Sequence, residues 1–301
     1  MSAATEVEVD GRRIRLTNLD KVLYPEVGYT KAEVIDYYAR VAPTMLTHLA
    51  DRLVTFRRYP DGVEGESFFE KRCPSHRPPW VETATGPGSR DGPVDYCVLD
   101  EVAAIVWAAN LAAIELHTPM GRVPDQRVPT MVVFDLDPGA PAAMAECCQV
   151  AVEIRSVLES VGLEMFPKTS GSKGLQLYVP LNTPASFEQS SSFALAVAQL
   201  LEKQQPERVT STMAKKERTG KVFIDWSQNS WSKTTVCAYS MRALPRPTVS
   251  TPVTWEEVDA AASGRPLSFE TDEVLDRLGR MGDLFEPTAS MEQRLPAARR
   301  S

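Results

Sequence analysis

The sequence predicts an α/β (α+β) fold, with two layered β-sheets flanked by helices. Two observations carry this. Short runs of β-formers alternate along the chain with helical stretches that end at glycine or proline. The chain also has 301 residues, 43% hydrophobic and 24% charged, an ordinary globular balance with enough apolar material for one large domain or two intimate lobes. No internal repeat occurs, and no linker is long enough to separate independent domains. The chain therefore reads as a single domain, 1–301. It comprises an N-terminal lobe (1–125), a central core (126–250) and an acidic C-terminal segment (251–301).

The elements follow in order. Thr30-Lys31-Ala32-Glu33 is a capping box, in which Thr30 caps a helix and Glu33 reaches back to it. Val34, Tyr37, Tyr38 and Val41 form one apolar face, and Pro43 is expected to end the helix. Arg52 to Tyr59 reads as a strand before the turn Pro60-Asp61-Gly62, and Pro87 to Pro93 as a mobile Gly/Pro loop. An alanine-rich helix is expected from Asp100 to about His117, stopping at Pro119. Met131-Val132-Val133-Phe134 opens a buried strand that runs to Asp137. A helix from Ala142 to Val161 ends at Gly162. Strands Leu163–Pro167 and Leu175–Val179 flank the stretch Lys168 to Gly174. A helix from Phe187 to Lys203, strands Val222–Trp226 and Thr234–Tyr239, and a short helix Trp255–Ala262 complete the pattern.

Composition excludes several classes. Met1 to Gly11 is acidic and polar, without the positive-then-apolar pattern of a secretion signal, and no run approaches membrane-spanning length. Five cysteines is an odd number, Cys147 and Cys148 are adjacent, and no Cys-x-x-Cys pair occurs; a disulfide framework is not expected. Cys73-Pro-Ser-His76 has ligand-like spacing but no second pair nearby, which argues against structural zinc. The protein reads as cytosolic. Its net charge of −7 weighs against a nucleic-acid partner, yet distribution matters more than the total. Thr210 to Ser250 nets +5, and Thr251 to Ser301 nets −4. The basic run is either a solvated face or a footprint for phosphates.

The chemistry centres on Asp135 and Asp137. Alternate side chains of a strand share a face, so the two carboxylates project together while Phe134 and Leu136 pack behind. Adjacent carboxylates raise each other's pKa unless a cation intervenes, and hard divalent ions take such oxygen ligands. The alternative is a strand end with two solvated aspartates. Ser170 to Gly174 offers glycines for close backbone approach, a lysine and two hydroxyls, the parts of an anion cradle, but a strand follows where a Walker loop would open a helix. Asp225 stands at the end of a third strand, with Arg218, Lys221, Lys233 and Arg242 in the same basic stretch. Carboxylates for metals together with cations for phosphates equip a protein for phosphoryl or nucleotidyl transfer.

Six segments carry a resemblance: Leu16 to Pro25, Phe68 to Lys71, Glu115 to Thr118, Phe134 to Gly139, Thr169 to Tyr178, and Lys221 to Asn229. Over nearly its whole length the chain resembles the polymerase domain of bacterial ligase D, a branch of the archaeo-eukaryotic primase superfamily. The resemblance implies two divalent cations, Mn²⁺ or Mg²⁺, on Asp135, Asp137 and Asp225. It implies an incoming NTP or dNTP held by Ser170, Lys173, Gly174, His117 and Arg242, with Arg218 and Gln228 beside the third carboxylate. Lys21 and Lys31 match a pocket for a downstream 5′-phosphate. Phe68 and Phe69, with Arg58, match a surface on which template bases stack. Taken as strand neighbours, only one of the two phenylalanines can point inward, so one is expected in the core.

Gln176 departs from the resemblance, standing where the Ser-x-Lys-Gly-x-His motif has histidine. Glutamine donates and accepts hydrogen bonds but cannot titrate. It is expected to act as a triphosphate-side hydrogen-bonding group. Since no ligase or nuclease module accompanies the domain, the expectation is a polymerase in the bacterial nucleoid, serving gapped or broken duplex DNA with a separately encoded ligase and an end-binding protein. Gap filling in excision repair is the first reading and end joining the second. A small-molecule nucleotidyltransferase or kinase, and a catalytically weak nucleic-acid clamp, are the alternatives.

Overall fold

The computed structural model describes residues 4–89 and 92–296. The chain divides into two compact units. One comprises Met1–Pro119, Thr234–Ser250 and Phe269–Asp283; the other comprises Met120–Lys233, Thr251–Ser268 and Leu284–Ser301.

The first unit begins with two small antiparallel pairs, β1 (Thr5–Val9) with β2 (Arg12–Leu16) and β3 (Val22–Tyr24) with β4 (Tyr29–Thr30). Helix α1 (Lys31–Leu49) starts at the expected capping box, with both reciprocal bonds between Thr30 and Glu33 formed. It runs through Pro43 instead of ending there. Proline forfeits one backbone bond, but Met45 and Leu49 beyond it are fully buried, and that burial outweighs the loss. Strand β5 (Thr55–Arg58) pairs with β6 (Phe68–Glu70), and a hairpin of β7 (Glu82–Ser89) and β8 (Gly92–Val98) follows. That hairpin replaces most of the loop expected at Pro87–Pro93, where Arg90 and Asp91 lie outside the described residues.

The expected helix to His117 is split. Helix α2 covers Val102–Asn110, Ala112 turns the chain with φ 56°, and β9 (Ala113–Thr118) pairs antiparallel with β5. Ladder pairing with β5 overrides the helical composition. The consequence is functional, because strand alternation puts Glu115 and His117 on one face, where a helix would have separated them.

In the second unit, β10 (Met131–Pro138) is the central strand. Helix α3 (Met144–Glu159), β11 (Phe166–Thr169), β12 (Leu175–Pro180), α4 (Phe187–Gln204), β13 (Val209–Thr210) and β14 (Val222–Asp225) follow. The five-stranded sheet has the order β11-β12-β10-β14-β13, antiparallel except for the β13–β14 pair. Phe134 and Leu136 are fully buried on the helix side: Phe134 meets Phe193 of α4 edge-on, and the Leu136 carbonyl accepts from the Cys147 thiol of α3. The remaining strand, β15 (Thr235–Val236), is shorter than expected and joins β9 in the first unit, completing a four-stranded sheet of order β15-β9-β5-β6. Helices α5 (Trp255–Ala262) and α7 (Pro287–Ser290) belong to the second unit and α6 (Thr271–Met281) to the first.

Contrary to the cysteine reading, Cys73 and Cys97 form a disulfide, tying the segment after β6 to β8. Cys147, Cys148 and Cys237 are free and buried. Among the described residues no helix is long and apolar enough to cross a membrane.

Candidate active site and nucleic-acid contacts

Register brings the three aspartates together. Asp135 lies opposite Gln176 of β12 on one side and Asp225 of β14 on the other, and Asp137 is two residues along β10. In-register partners share a sheet face, so all four side chains stand on the face away from Phe134 and Leu136. Burial and the neighbouring Asp137 charge push the Asp135 carboxyl up, while a hydrogen bond from Gln176 and the Lys168 charge pull it down. Asp137 is likewise raised, by burial and by Asp225, against Lys173 and Arg218.

Asp225 is held from three directions. Its Oδ1 accepts from the Ser227 amide at 3.0 Å and hydroxyl at 2.5 Å, and its Oδ2 from Gln228 Nε2 at 2.8 Å. Lys233 Nζ in turn donates to the Ser227 hydroxyl at 2.5 Å. Among the described residues no three His, Cys, Asp or Glu side chains already form a metal-ligand cluster. The donor set nonetheless fits a hard divalent cation. It offers carboxylate oxygens only, and burial together with neighbouring carboxylate charge drives Asp135 and Asp137 upward in pKa.

The loop after β11 is built by Ser170, whose hydroxyl accepts from the amides of Ser172 at 3.2 Å and Gly174 at 3.1 Å. Gly174 must be glycine: an added Cβ would lie 2.4 Å from the Leu136 carbonyl oxygen, so the loop presses directly on β10. That contact places exposed Lys173 within electrostatic reach of Asp137. Arg218 stacks on Phe223 at 3.6 Å and donates to the Met213 carbonyl at 2.6 Å.

Sequence reasoning gave no role to Lys168 and Asn229. Lys168 Nζ donates to Gln176 Oε1 at 2.5 Å, and Gln176 Nε2 donates to Asp135 Oδ1 at 3.1 Å. Asn229 mimics a strand: its Oδ1 accepts from the Val133 amide at 2.9 Å and its Nδ2 donates to the Val133 carbonyl at 2.8 Å. Both residues lie inside or beside the segments that carry the resemblance, but only pairing partners reveal what they hold.

The first unit gathers the other expected residues. Lys31 is 5% exposed, and its Nζ donates to the Thr17 carbonyl at 2.7 Å. Burial, with Lys21 and Arg58 close by, pushes its pKa down to about 8. The Lys31 amide donates to the Lys21 carbonyl, which fixes the two lysines side by side, and Lys21 Nζ pairs with Asp61 at 2.7 Å. Phe68 and Phe69 are both exposed, at 45% and 60%, correcting the expectation that one is core. Arg58 and Arg57 sit over their rings at 5.3 and 5.2 Å. A pocket of about 610 Å³ opens beside them, lined also by Lys71 and Arg72.

His117 meets Phe69 edge-on at 5.6 Å, and its Nε2 lies 2.9 Å from Glu115 Oε2. Glu115, 1% exposed and unassigned from sequence, also pairs with Arg242 at 3.2 Å and Arg57 at 3.6 Å. Against the opposing pull of burial, His117 and Arg242 hold it down to about 2. An ionised carboxylate only accepts, so His117 Nε2 carries the proton. Burial lowers the His117 pKa despite Glu115.

One unit thus gathers carboxylates on strand ends with a lysine-bearing glycine loop pressed against their strand, and the other carries an exposed aromatic–arginine surface. The family described as LigD, primase-polymerase domain, matches residues 30–285. The chain belongs to that family. It is 48% identical over 277 residues to a multifunctional non-homologous end joining protein LigD of Mycolicibacterium smegmatis, covering 91% of this chain and 36% of that protein. It is 33% identical over 274 residues to the bifunctional LigD of Bacillus subtilis, covering 44% of it. The chain thus spans less than half the length of either relative. The polymerase domain of Mycobacterium tuberculosis ligase D, solved in complex with DNA, superposes with a TM-score of 0.87 at 46% identity, covering 93% of this chain and 99% of that one.

Proposed function

We propose that the protein is a template-dependent DNA/RNA polymerase that extends a primer 3′ end at broken DNA ends and across short gaps bearing a downstream 5′-phosphate. The observation that carries this is the register of β10 against β14, which sets Asp135 opposite Asp225 with Asp137 beside them. The relatives named for non-homologous end joining support broken ends as substrate, and the paired Lys21 and Lys31 support a terminal phosphate at a gap. A ligase activity and an end-binding protein would complete the repair, at the bacterial nucleoid.

Asp135, Asp137 and Asp225 would hold Mn²⁺ or Mg²⁺. Such ions, when bound, lower the pKa of the primer 3′-hydroxyl and offset charge on the departing pyrophosphate. Lys173, with the backbone shaped by Ser170 and Gly174, would bind triphosphate oxygens, and Arg218 would add charge beside them. Ser227 and Gln228 hold both oxygens of the Asp225 carboxylate by hydrogen bonds. Arg242 and His117, both held by Glu115, would offer donors to phosphate oxygens in the first unit. Neutral His117 carries its proton toward Glu115, so it would take up a second proton to donate to a phosphate. Phe68 and Phe69 would stack template bases without reading sequence.

The deciding experiment measures incorporation on gapped DNA with Mn²⁺ or Mg²⁺, with and without the downstream 5′-phosphate. Metal-dependent, template-directed addition is expected. Its absence on every primer-template would leave the clamp reading in its place.

A further inference from the structure

Three side chains meet at Gln176, and the hydrogen-bonding chemistry of the group favours one arrangement. Lys168 on β11 lies in register with Gln176 on β12, which lies in register with Asp135 on β10. Lys168 is 1% exposed and Gln176 is 4% exposed. The ammonium donates to Gln176 Oε1 at 2.5 Å, and the Tyr178 hydroxyl donates to the same oxygen at 3.2 Å. An ammonium has donors and no acceptor, whereas a side-chain amide can present either end. With Lys168 on one side, the amide oxygen must turn toward it. The NH₂ group then faces Asp135 Oδ1, 3.1 Å away.

We infer that Lys168 is a positioning residue for the nucleotidyl transfer, a buried cation that fixes the Gln176 amide so that its N–H holds the Asp135 carboxylate in place. The role rests on the polymerase reading for the reaction it serves. Without the lysine the amide is free to flip, and a flipped amide sets oxygen against oxygen at Asp135. The relay also explains how glutamine can occupy the position of the motif's histidine. A neutral imidazole accepts from Lys168 at one nitrogen and donates to Asp135 from the other, the same two bonds.

The test compares Lys168→Met, Gln176→Leu and the double variant. It reads kcat and nucleotide KM in single-nucleotide incorporation, Mn²⁺ affinity by electron paramagnetic resonance of the free ion, and Tm. Each single change should lower kcat about tenfold and weaken Mn²⁺ binding by a similar factor, the loss of one charge-assisted hydrogen bond. Nucleotide KM should move less than about twofold. The double variant should be no worse than Gln176→Leu, because Lys168 acts only through the amide. If Lys168→Met does not fold, Gln176→His and Gln176→Leu decide: histidine should keep Mn²⁺ affinity and leucine should lose it. Wild-type Mn²⁺ affinity in Lys168→Met, losses that multiply in the double variant, or equal affinity in both Gln176 variants overturns the relay. Incorporation that survives Asp135→Ala overturns the role of Asp135 and the relay with it, whereas no incorporation by the wild type overturns the polymerase reading beneath both.

Discussion

Carboxylates serve this protein in two regions, under opposite fields. On β10 and β14 three aspartates crowd one face, and burial and neighbouring carboxylates push the pKa up, Asp137 acting on Asp135 and Asp225 on Asp137. On β9 a single glutamate is more deeply buried still, yet His117, Arg242 and Arg57 surround it and its pKa falls to about 2. The Glu115 cluster is electrically complete and serves as scaffold. The aspartate cluster carries excess negative charge, the condition of a site that recruits cations.

The largest effect should come from the aspartates. Asp135→Ala or Asp137→Ala removes charge stabilisation worth several kcal/mol, so primer extension should fall by roughly a thousandfold or more. Fluorescence anisotropy should show DNA binding nearly intact, since phosphate contacts lie elsewhere. Extension within tenfold of wild type by either variant would make the two clusters equivalent and remove the contrast.

Next comes Glu115. Removing one member of a buried ion cluster typically costs about 3–5 kcal/mol, so Glu115→Ala should show a lowered urea midpoint, with nucleotide KM raised as Arg242 and His117 lose their anchor. The pH dependence has a fixed sign. The folded pKa, about 2, lies below the ordinary glutamate value of 4.5, so the contribution is complete above pH 4.5 and is lost as pH falls toward 2. It amounts to about 3 kcal/mol. Glu115→Gln should flatten that part of the acid-unfolding curve, and an unchanged curve would show that the glutamate is not compensated as described.

The lysine pair should give an intermediate effect. Lys21→Ala and Lys31→Ala should each cost about tenfold or more in affinity for a gapped duplex with a 5′-phosphate, at roughly 1.5–3 kcal/mol per charge-assisted contact, and little on an unphosphorylated gap. Because the Lys31 pKa is lowered to about 8, its charge fades above that value. The preference for the phosphorylated end should therefore shrink between pH 7 and pH 9. A preference constant over that range would assign the selectivity to other groups.

Phe69→Ala follows, weakening primer-template binding by about 1–3 kcal/mol for one stacked base, with Phe68→Ala smaller because that ring is less exposed. Smallest of all should be Gln176→His, with incorporation rates within a few-fold of wild type. A gain of orders of magnitude at neutral pH would make this position a proton carrier instead of a hydrogen-bonding one.

How far the chain could be read follows a physical divide. The shared face of Asp135 and Asp137 was legible because strand alternation and the run Met131 to Asp137 are local signals, and the Ser170–Gly174 turn declares itself by composition. The α1 start was legible for the same reason, since its capping box needs only four residues. What escaped depends on pairing between distant segments. Glu115 and His117 share a face only because β5 draws 113–118 into a ladder, against the helical composition of the alanines before them. The Cys73–Cys97 bond was invisible because nothing in cysteine spacing fixes connectivity, and the sheet alone brings Cys97 beside Val54. The exposure of both Phe68 and Phe69 likewise reflects the position of β6 at the sheet edge, which alternation alone does not disclose.

Asn229 turns this dependence on pairing into a measuring device. Its amide grips both backbone groups of Val133, two residues before Asp135. Side chains along a strand repeat with period two, so a slip of one residue would send Asp135 and Asp137 into the helix-packed core and bring Phe134 and Leu136 out to water. The amide is a gauge block: the distance it sets along β10 decides whether this sheet face presents acid or oil.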